Sequence, residues 1–199
     1  MTASEKNSPS ASSMALKNSS TTAMKSEASH DVVIRRWTLD DIPDVQQIAL
    51  TTWRATYGSF IPDEDILAFF RTYYTMEALA ENCTNILRAG FLAVDAGKPV
   101  GYARTFFNDQ EARFYLNSLY VLPECQGKRI GTLLLRECET VGRAFGAEEI
   151  WLGVMKQNTR TVLWYEKLGF RFEREEPFIM GNTTVDHLIG FRKLNQPLP

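Results

Sequence analysis

Leu119-Tyr120-Val121-Leu122-Pro123-Glu124-Cys125-Gln126-Gly127-Lys128-Arg129-Ile130-Gly131-Thr132 reads as a strand that passes through a short polar turn straight into a helix. Branched and aromatic residues run up to Leu122, and Pro123 cannot continue a ladder. From Ile130 the period changes to a helical one, with Leu133, Leu134, Cys138, Val141 and Phe145 on one stripe. Main-chain amides at such a junction can surround an anion, and Gly127 and Gly131 put no Cβ in the way. The helix dipole adds roughly 0.3–1 kcal/mol for a favourable charge. Lys128 and Arg129 are placed to screen a diphosphate. The plain alternative is a strand–turn–helix with a solvated basic turn. No Gly-x-x-x-x-Gly-Lys-Ser/Thr pattern is present, so nucleoside triphosphate hydrolysis is not indicated.

Working upstream, Ala112–Leu122, Val100–Phe107 and Phe91–Val94 read as strands, the last two separated by the turn Asp95-Ala96-Gly97-Lys98-Pro99. Met76–Arg88 predicts a helix stopped by Gly90. Pro62-Asp63-Glu64-Asp65 opens another, with acids where the dipole favours them. Ile42, Val45, Ile48, Ala49, Thr52, Trp53 and Thr56 mark a helix ending at Gly58. Thr38–Asp41 looks like a capping box ahead of it. Val32–Trp37 is a first strand. Downstream, a helix to Phe145 stops at Gly146, Glu149–Val154 is a strand, and Thr159–Leu168 is a helix stopped by Gly169. Phe170–Arg174 and His187–Arg192 predict two last strands. The order specifies a mixed α/β domain with a central sheet.

The 199 residues are 44% apolar and 23% charged, an ordinary globular composition. Residues 1–30 are a low-complexity stretch dominated by Ser, Thr, Ala, Asn and Lys without aromatics, read as a disordered tail. The folded domain is expected over 31–195. A net charge of −2 argues against nucleic acid or an anionic membrane as partner. No apolar run reaches the ~18 residues of a membrane span. Cys83, Cys125 and Cys138 suggest neither a disulfide framework nor a metal site, so free thiols in a cytoplasmic protein are expected. His30 and His187 have no ligand-like partners nearby in sequence, and surface or strand packing is expected of both.

Leu-Tyr-Val-x-Pro-Glu-x-Gln-Gly-Lys-x-Ile-Gly resembles the acetyl-CoA-binding motif of the GCN5-related N-acetyltransferase (GNAT) family. Trp151-Leu152-Gly153-Val154, Asn158 and Trp164-Tyr165-Glu166-Lys167-Leu168-Gly169-Phe170 resemble its second signature. Thr52-Trp53-Arg54-Ala55-Thr56-Tyr57, Phe60-Ile61-Pro62 and Phe178-x-Met180-Gly181-Asn182 are similar to PaiA-type members, which act on spermidine and spermine. The resemblance implies a mainly antiparallel, twisted central sheet flanked by helices. It implies an acetyl-CoA-dependent N-acetyltransferase acting on a small-molecule amine, polyamines first, as a monomer or homodimer. Acetylation of a protein or peptide amine, or a non-catalytic acyl-CoA-binding module, are the alternatives.

The resemblance also assigns residues. Leu119, Tyr120 and Val121 would bond the pantetheine arm through their backbone, and Gln126, Gly127, Lys128, Arg129, Ile130, Gly131 and Thr132 would hold the diphosphate. Asn158 would touch the same cofactor, or simply cap the following helix. Tyr165 stands where the family's general acid is usual. A phenol near pKa 10 passing its proton to a thiolate whose thiol is near 8.5 is uphill by about 2 kcal/mol, which is tolerable. Trp53, Tyr57, Glu64 and Tyr115 are the expected acceptor contacts, with Asp63 and Asp65 as further candidates for a polyamine's remote cations. Tyr115 replaces a common glutamate, and no carboxylate lies between Phe114 and Val121. A water relay through Tyr115 or Asn117, or an amine that arrives neutral, is then expected. Arg129 stands where the family usually has glycine. It is expected to need only its amide there, without a positive φ.

Overall fold

The computed structural model describes residues 32–198, so the expected tail and His30 lie outside the described residues. A seven-stranded sheet has the order β1-β2-β3-β4-β5-β7-β6. The strands are β1 (Val33–Arg36), β2 (Arg88–Asp95), β3 (Lys98–Asn108), β4 (Arg113–Val121), β5 (Glu149–Met155), β6 (Arg171–Met180) and β7 (Thr183–Lys193). All neighbours are antiparallel except β4 and β5. The helices are α1 (Ile42–Tyr57), α2 (Asp63–Tyr73), α3 (Met76–Thr84), α4 (Ile130–Ala144) and α5 (Thr159–Lys167).

Each face of the sheet carries its own core. Phe114, Leu134, Leu135, Cys138, Ile150, Leu152 and Tyr165 belong to the core that includes α4 and α5. Trp37, Ile42, Trp53, Leu92, Tyr102, Met155 and Val185 belong to the opposite core, beneath α1–α3. The turn at Thr38–Asp41 forms as expected: the Thr38 amide and hydroxyl both donate to Asp41, at 2.7 and 3.0 Å. Arg35 grips the same carboxylate with two bonds of 2.7 Å and, with Thr38, holds it far below the usual carboxylate range.

Two expectations need correction. The helix from Met76 ends at Thr84, and Gly90 is a strand residue of β2. The Trp37 indole lies over it so closely that a Cβ would come within 2.2 Å of the ring, so tertiary packing fixes this glycine and no helix stop is involved. The last two strands are longer than expected: β6 continues past Arg174 through the exposed residues Glu175, Glu176 and Pro177 to Met180, and β7 already begins at Thr183.

A bulge interrupts β4. Thr105 pairs with Leu116 and Arg104 with Ser118, which leaves Asn117 without a partner across β3. The extra residue reverses the alternation. Phe114 and Leu116 face the α4 core before it, and Leu119 and Val121 face that core after it. Ser118 and Tyr120 therefore turn toward α1 and α2, where Tyr74 and Tyr57 meet them.

Candidate active site

The parallel pair β4–β5 sets the site. It is joined only at Phe114↔Ile150 and Tyr115↔Trp151. Beyond that point β4 stays on β3 through Val121, and β5 stays on β7 through Met155. The facing edges of Leu116–Val121 and Leu152–Met155 are consequently unpaired, and a wedge opens between two central strands. An unpaired edge of this kind accepts an extended ligand as a further strand would.

At the end of β4 the turn Pro123–Cys125 leads to Gln126, whose Nε2 donates back to the Val121 carbonyl at 3.1 Å. Gly127 and Arg129 then both adopt left-handed backbone, at φ +81° and +64°. The expectation for Arg129 is thus half right. Its side chain is exposed, but its backbone does take the conformation that favours glycine, at a cost of about 1–2 kcal/mol. None of the six N–H groups from Gly127 to Thr132 bonds another group among the described residues, and the first bond into α4 is Leu133 N to Arg129 O at 3.1 Å. A Cβ on Gly127 would meet nothing within 4 Å, so the approach is open. Six free amides at the positive end of a 15-residue helix form an anion cradle.

Side chains contribute less to this cradle. Ile130 is 1% exposed and packs in the core, leaving only its amide available. Gly131 permits the close approach of the Trp164 ring, 3.2 Å from where a Cβ would stand. The Lys128 ammonium lies 3.7 Å from Asp95, in a loose pair on a half-exposed side chain. Asn158 caps α5 by accepting from the Thr161 amide at 3.4 Å, and its Nδ2 has no partner among the described residues.

Tyr165 projects from α5 into the core that also holds Leu116 and Val121 of β4 and Leu152 and Val154 of β5, the strands flanking the wedge. Its ring is held between Trp164 and Phe170, at centroid distances of 4.8 and 5.0 Å. Burial, then Tyr57 and Cys138, pushes its phenol well above 10, so the proton stays on it at neutral pH. Its hydroxyl bonds none of the described residues, and the side chain is buried. Arg192, itself buried, donates to the Leu168 carbonyl at 2.7 Å and pairs with Glu139, which fixes the end of α5.

The opposite wall is aromatic. Tyr57 and Tyr120 share a hydrogen bond of 2.9 Å, and burial pushes Tyr57 up to about 12. Tyr74 bonds Tyr102 at 2.8 Å and Ser118 at 2.9 Å. The Arg104 guanidinium lies 4.5 Å from the Tyr74 ring centre and donates to Ser118 at 3.3 Å. Trp53 does not line a pocket: it is 2% exposed, edge-on to Tyr74 at 4.6 Å, a core residue. Tyr115 sits at the other end of β4, stacked on Phe106 and donating to Glu111 at 2.7 Å, so it does not join Tyr57 and Tyr120.

Of the three acids that open α2, Asp63 is taken by Arg54 at 2.6 Å. Asp65 is buried and accepts from the Asn182 amide at 2.8 Å and the Thr183 hydroxyl at 2.6 Å, clamping α2 to the β6–β7 turn. Glu64 alone is exposed and without a partner among the described residues. The Asp65 clamp and the Asn117 bulge are absent from the sequence reading. The break in alternation at Leu116-Asn117-Ser118 was a signal for the bulge, and nothing local signals the clamp.

A family model of the acetyltransferase (GNAT) family matches residues 44–170, and the chain belongs to that family. An uncharacterized N-acetyltransferase of Mycobacterium tuberculosis is 27% identical over 78% of this chain and 99% of its own length. Spermidine N(1)-acetyltransferase of Thermoplasma acidophilum is 28% identical over 71% of this chain and 89% of its own. The crystal structure of PaiA N-acetyltransferase from T. acidophilum, in complex with coenzyme A, superposes with a TM-score of 0.72 at 25% identity, covering 82% of this chain and 99% of that one. The fold and acetyltransferase class expected from the two motifs are those found. Acetyl-CoA as acetyl donor fits the wedge and its amide cradle.

Proposed function

We propose that this protein transfers the acetyl group of acetyl-CoA to the primary amine of a small molecule, with polyamines the first class of acceptor. The observation that carries the reading is the unpaired β4 edge running into six free amides. The edge suits a pantetheine arm and the cradle suits a diphosphate. Bound there, acetyl-CoA supplies an acyl group activated as a thioester. Leu119–Val121 offer main-chain partners to the arm, Gly127–Thr132 take the diphosphate, and Asn158 has a free amide donor at the start of α5.

Tyr165 holds the proton that the departing sulfur needs. Burial raises its phenol, which makes the transfer harder than the 2 kcal/mol of an exposed pair. A thiolate released beside that buried phenol is also a stronger base, which offsets part of that rise. The polyamine reading draws on the likeness to spermidine N(1)-acetyltransferase of T. acidophilum and on Glu64, free to receive a distant cation at the rim of α2. No helix among the described residues is long and apolar enough to cross a membrane. A cytoplasmic monomer or homodimer is part of the same proposal.

The test is thiol release from acetyl-CoA over a panel of spermidine, spermine, simple diamines and peptides, alongside thermal shift with CoA. Stabilisation by CoA that grows with its concentration, and turnover with polyamines, are expected. Turnover with peptides alone points to a protein acceptor. CoA binding with no turnover of any amine leaves a binding module and overturns the transfer reading.

A further inference from the structure

The acceptor nitrogen must lose a proton, and β4 offers no carboxylate to take it. We infer that His187 of β7 is the base that accepts this proton at the mouth of the wedge. The inference rests on the transfer reading above and adds a residue to it.

Four observations place the imidazole. His187 pairs with Met155, and Leu188 with Val154, without a break in register. Val185 and Met155 both lie in the core beneath α1–α3. Since strand residues alternate, His187 and Gly153 share that face. Gly153 belongs to the unpaired edge of β5, two residues past Trp151, and so stands across the gap from the exposed bulge residue Asn117. The ring lies directly on Gly153: a Cβ there would come within 2.4 Å of Cε1 and 2.8 Å of Nδ1. The absence of a side chain at 153 is what lets the imidazole reach the lip of the wedge.

Tyr165 belongs to the core on the other face. A base on one face and a proton donor on the other suit a carbonyl attacked from one side whose sulfur departs toward the other. As the C–N bond forms, the nitrogen becomes acidic and gives its proton to His187. As the C–S bond breaks, the sulfur takes the Tyr165 proton. The imidazolium then returns a proton to the tyrosinate through solvent, and one proton has moved from nitrogen to sulfur.

The groups around the ring favour the neutral form. Gly153 and Met155 on β5 and Phe178 on β6, 4.8 Å between ring centres, carry no charge. The facing Glu176 carboxylate is paired with Arg174. The neighbouring Asp186 is exposed, and Lys156 is paired with Glu175. Burial lowers the imidazole below its usual value, against smaller opposing effects of Glu176 and the Gly153 main chain.

The experiment is the pH dependence of kcat/KM with acetyl-CoA and spermidine for the wild type, His187→Gln and His187→Ala. Ionisation of the amine alone gives log(kcat/KM) a slope of one up to about pH 10. A histidine base adds a second unit of slope below its own lowered pKa. The wild type is expected to show that break, and His187→Gln to lose it with a fall of about 10²–10⁴ in rate, CoA binding being unchanged. Added imidazole should restore part of the activity of His187→Ala, which a purely structural role would not allow. Glu176→Gln should move the break to lower pH. A His187→Gln enzyme that keeps both the break and the rate overturns the assignment of His187 alone. A wild type that acetylates no amine overturns the transfer reading, and the base with it.

Discussion

The two walls of the wedge are built from different materials. The wall formed by the end of β4 and the start of α4 offers main chain: an unpaired edge, two left-handed residues and six free amides. The wall under α1 and α2 offers side chains: Tyr57 on Tyr120, Tyr74 on Tyr102 and Ser118, and Asp65 on the β6–β7 turn. A main-chain wall depends on backbone conformation and tolerates changes of side chain. A side-chain wall depends on the identity of each residue and on distant strands meeting in register. The first suits a constant ligand and the second a variable one.

The sharpest way to break this contrast lies between the walls, at Tyr165. Tyr165→Phe removes only the hydroxyl and leaves the packing on Trp164 and Phe170. Under the transfer reading kcat falls by about 10²–10⁴, and the dissociation constant for CoA stays as it was. Unchanged kcat would remove the tyrosine from the chemistry. The next effect belongs to the main-chain wall. Gly127→Val forces a branched residue into φ +81°, a strain of about 1–2 kcal/mol. CoA affinity should then weaken roughly tenfold while KM for the amine is unchanged, as titration calorimetry would show.

The side-chain wall answers differently. The Thr183 hydroxyl, then the Asn182 amide, hold the Asp65 carboxyl below the ordinary carboxylate value. A depressed folded-state pKa gives stability that is complete above about pH 4 and fades as pH falls through the lowered value. Asp65→Asn should therefore lower Tm at pH 7, flatten its fall in acid, and raise KM for the amine severalfold with no change in CoA binding. The smallest effect is expected at Arg129. Arg129→Gly relieves left-handed strain but frees the unfolded chain by about 0.5–1 kcal/mol, so Tm should rise by at most a few degrees and CoA affinity stay the same. A large loss of affinity would mean that the guanidinium, and not its amide, holds the ligand.

The same contrast explains what could be read in advance. The main-chain wall lies within the stretch from Leu119 to Thr132, where each local signal agrees with its neighbours. Strand, proline, glycine and helical stripe follow one another, and the strand–turn–helix junction was legible there. So were β3, β5 and α5, whose periodicities are strong. Gly90 misled because a glycine under a tryptophan ring looks the same in sequence as a glycine ending a helix. Trp53 misled because its burial comes from Phe69 and Tyr74, in and just after α2, and from Tyr120 on β4. The positive φ of Arg129 has no sequence signal, because an arginine with left-handed backbone reads the same as one in an ordinary turn. The seat of His187 on Gly153 could not be seen at all, because only the β5–β7 register brings the two together.

The most direct measurement is amide NMR of the uniformly labelled protein titrated with CoA. If the turn takes the diphosphate through its main chain, the resonances of Gly127 to Thr132 shift together and their hydrogen exchange slows, with a matching response along Leu119–Val121. Saturation with CoA that leaves those amides unmoved, or that perturbs only the Lys128 and Arg129 side chains, would contradict the account.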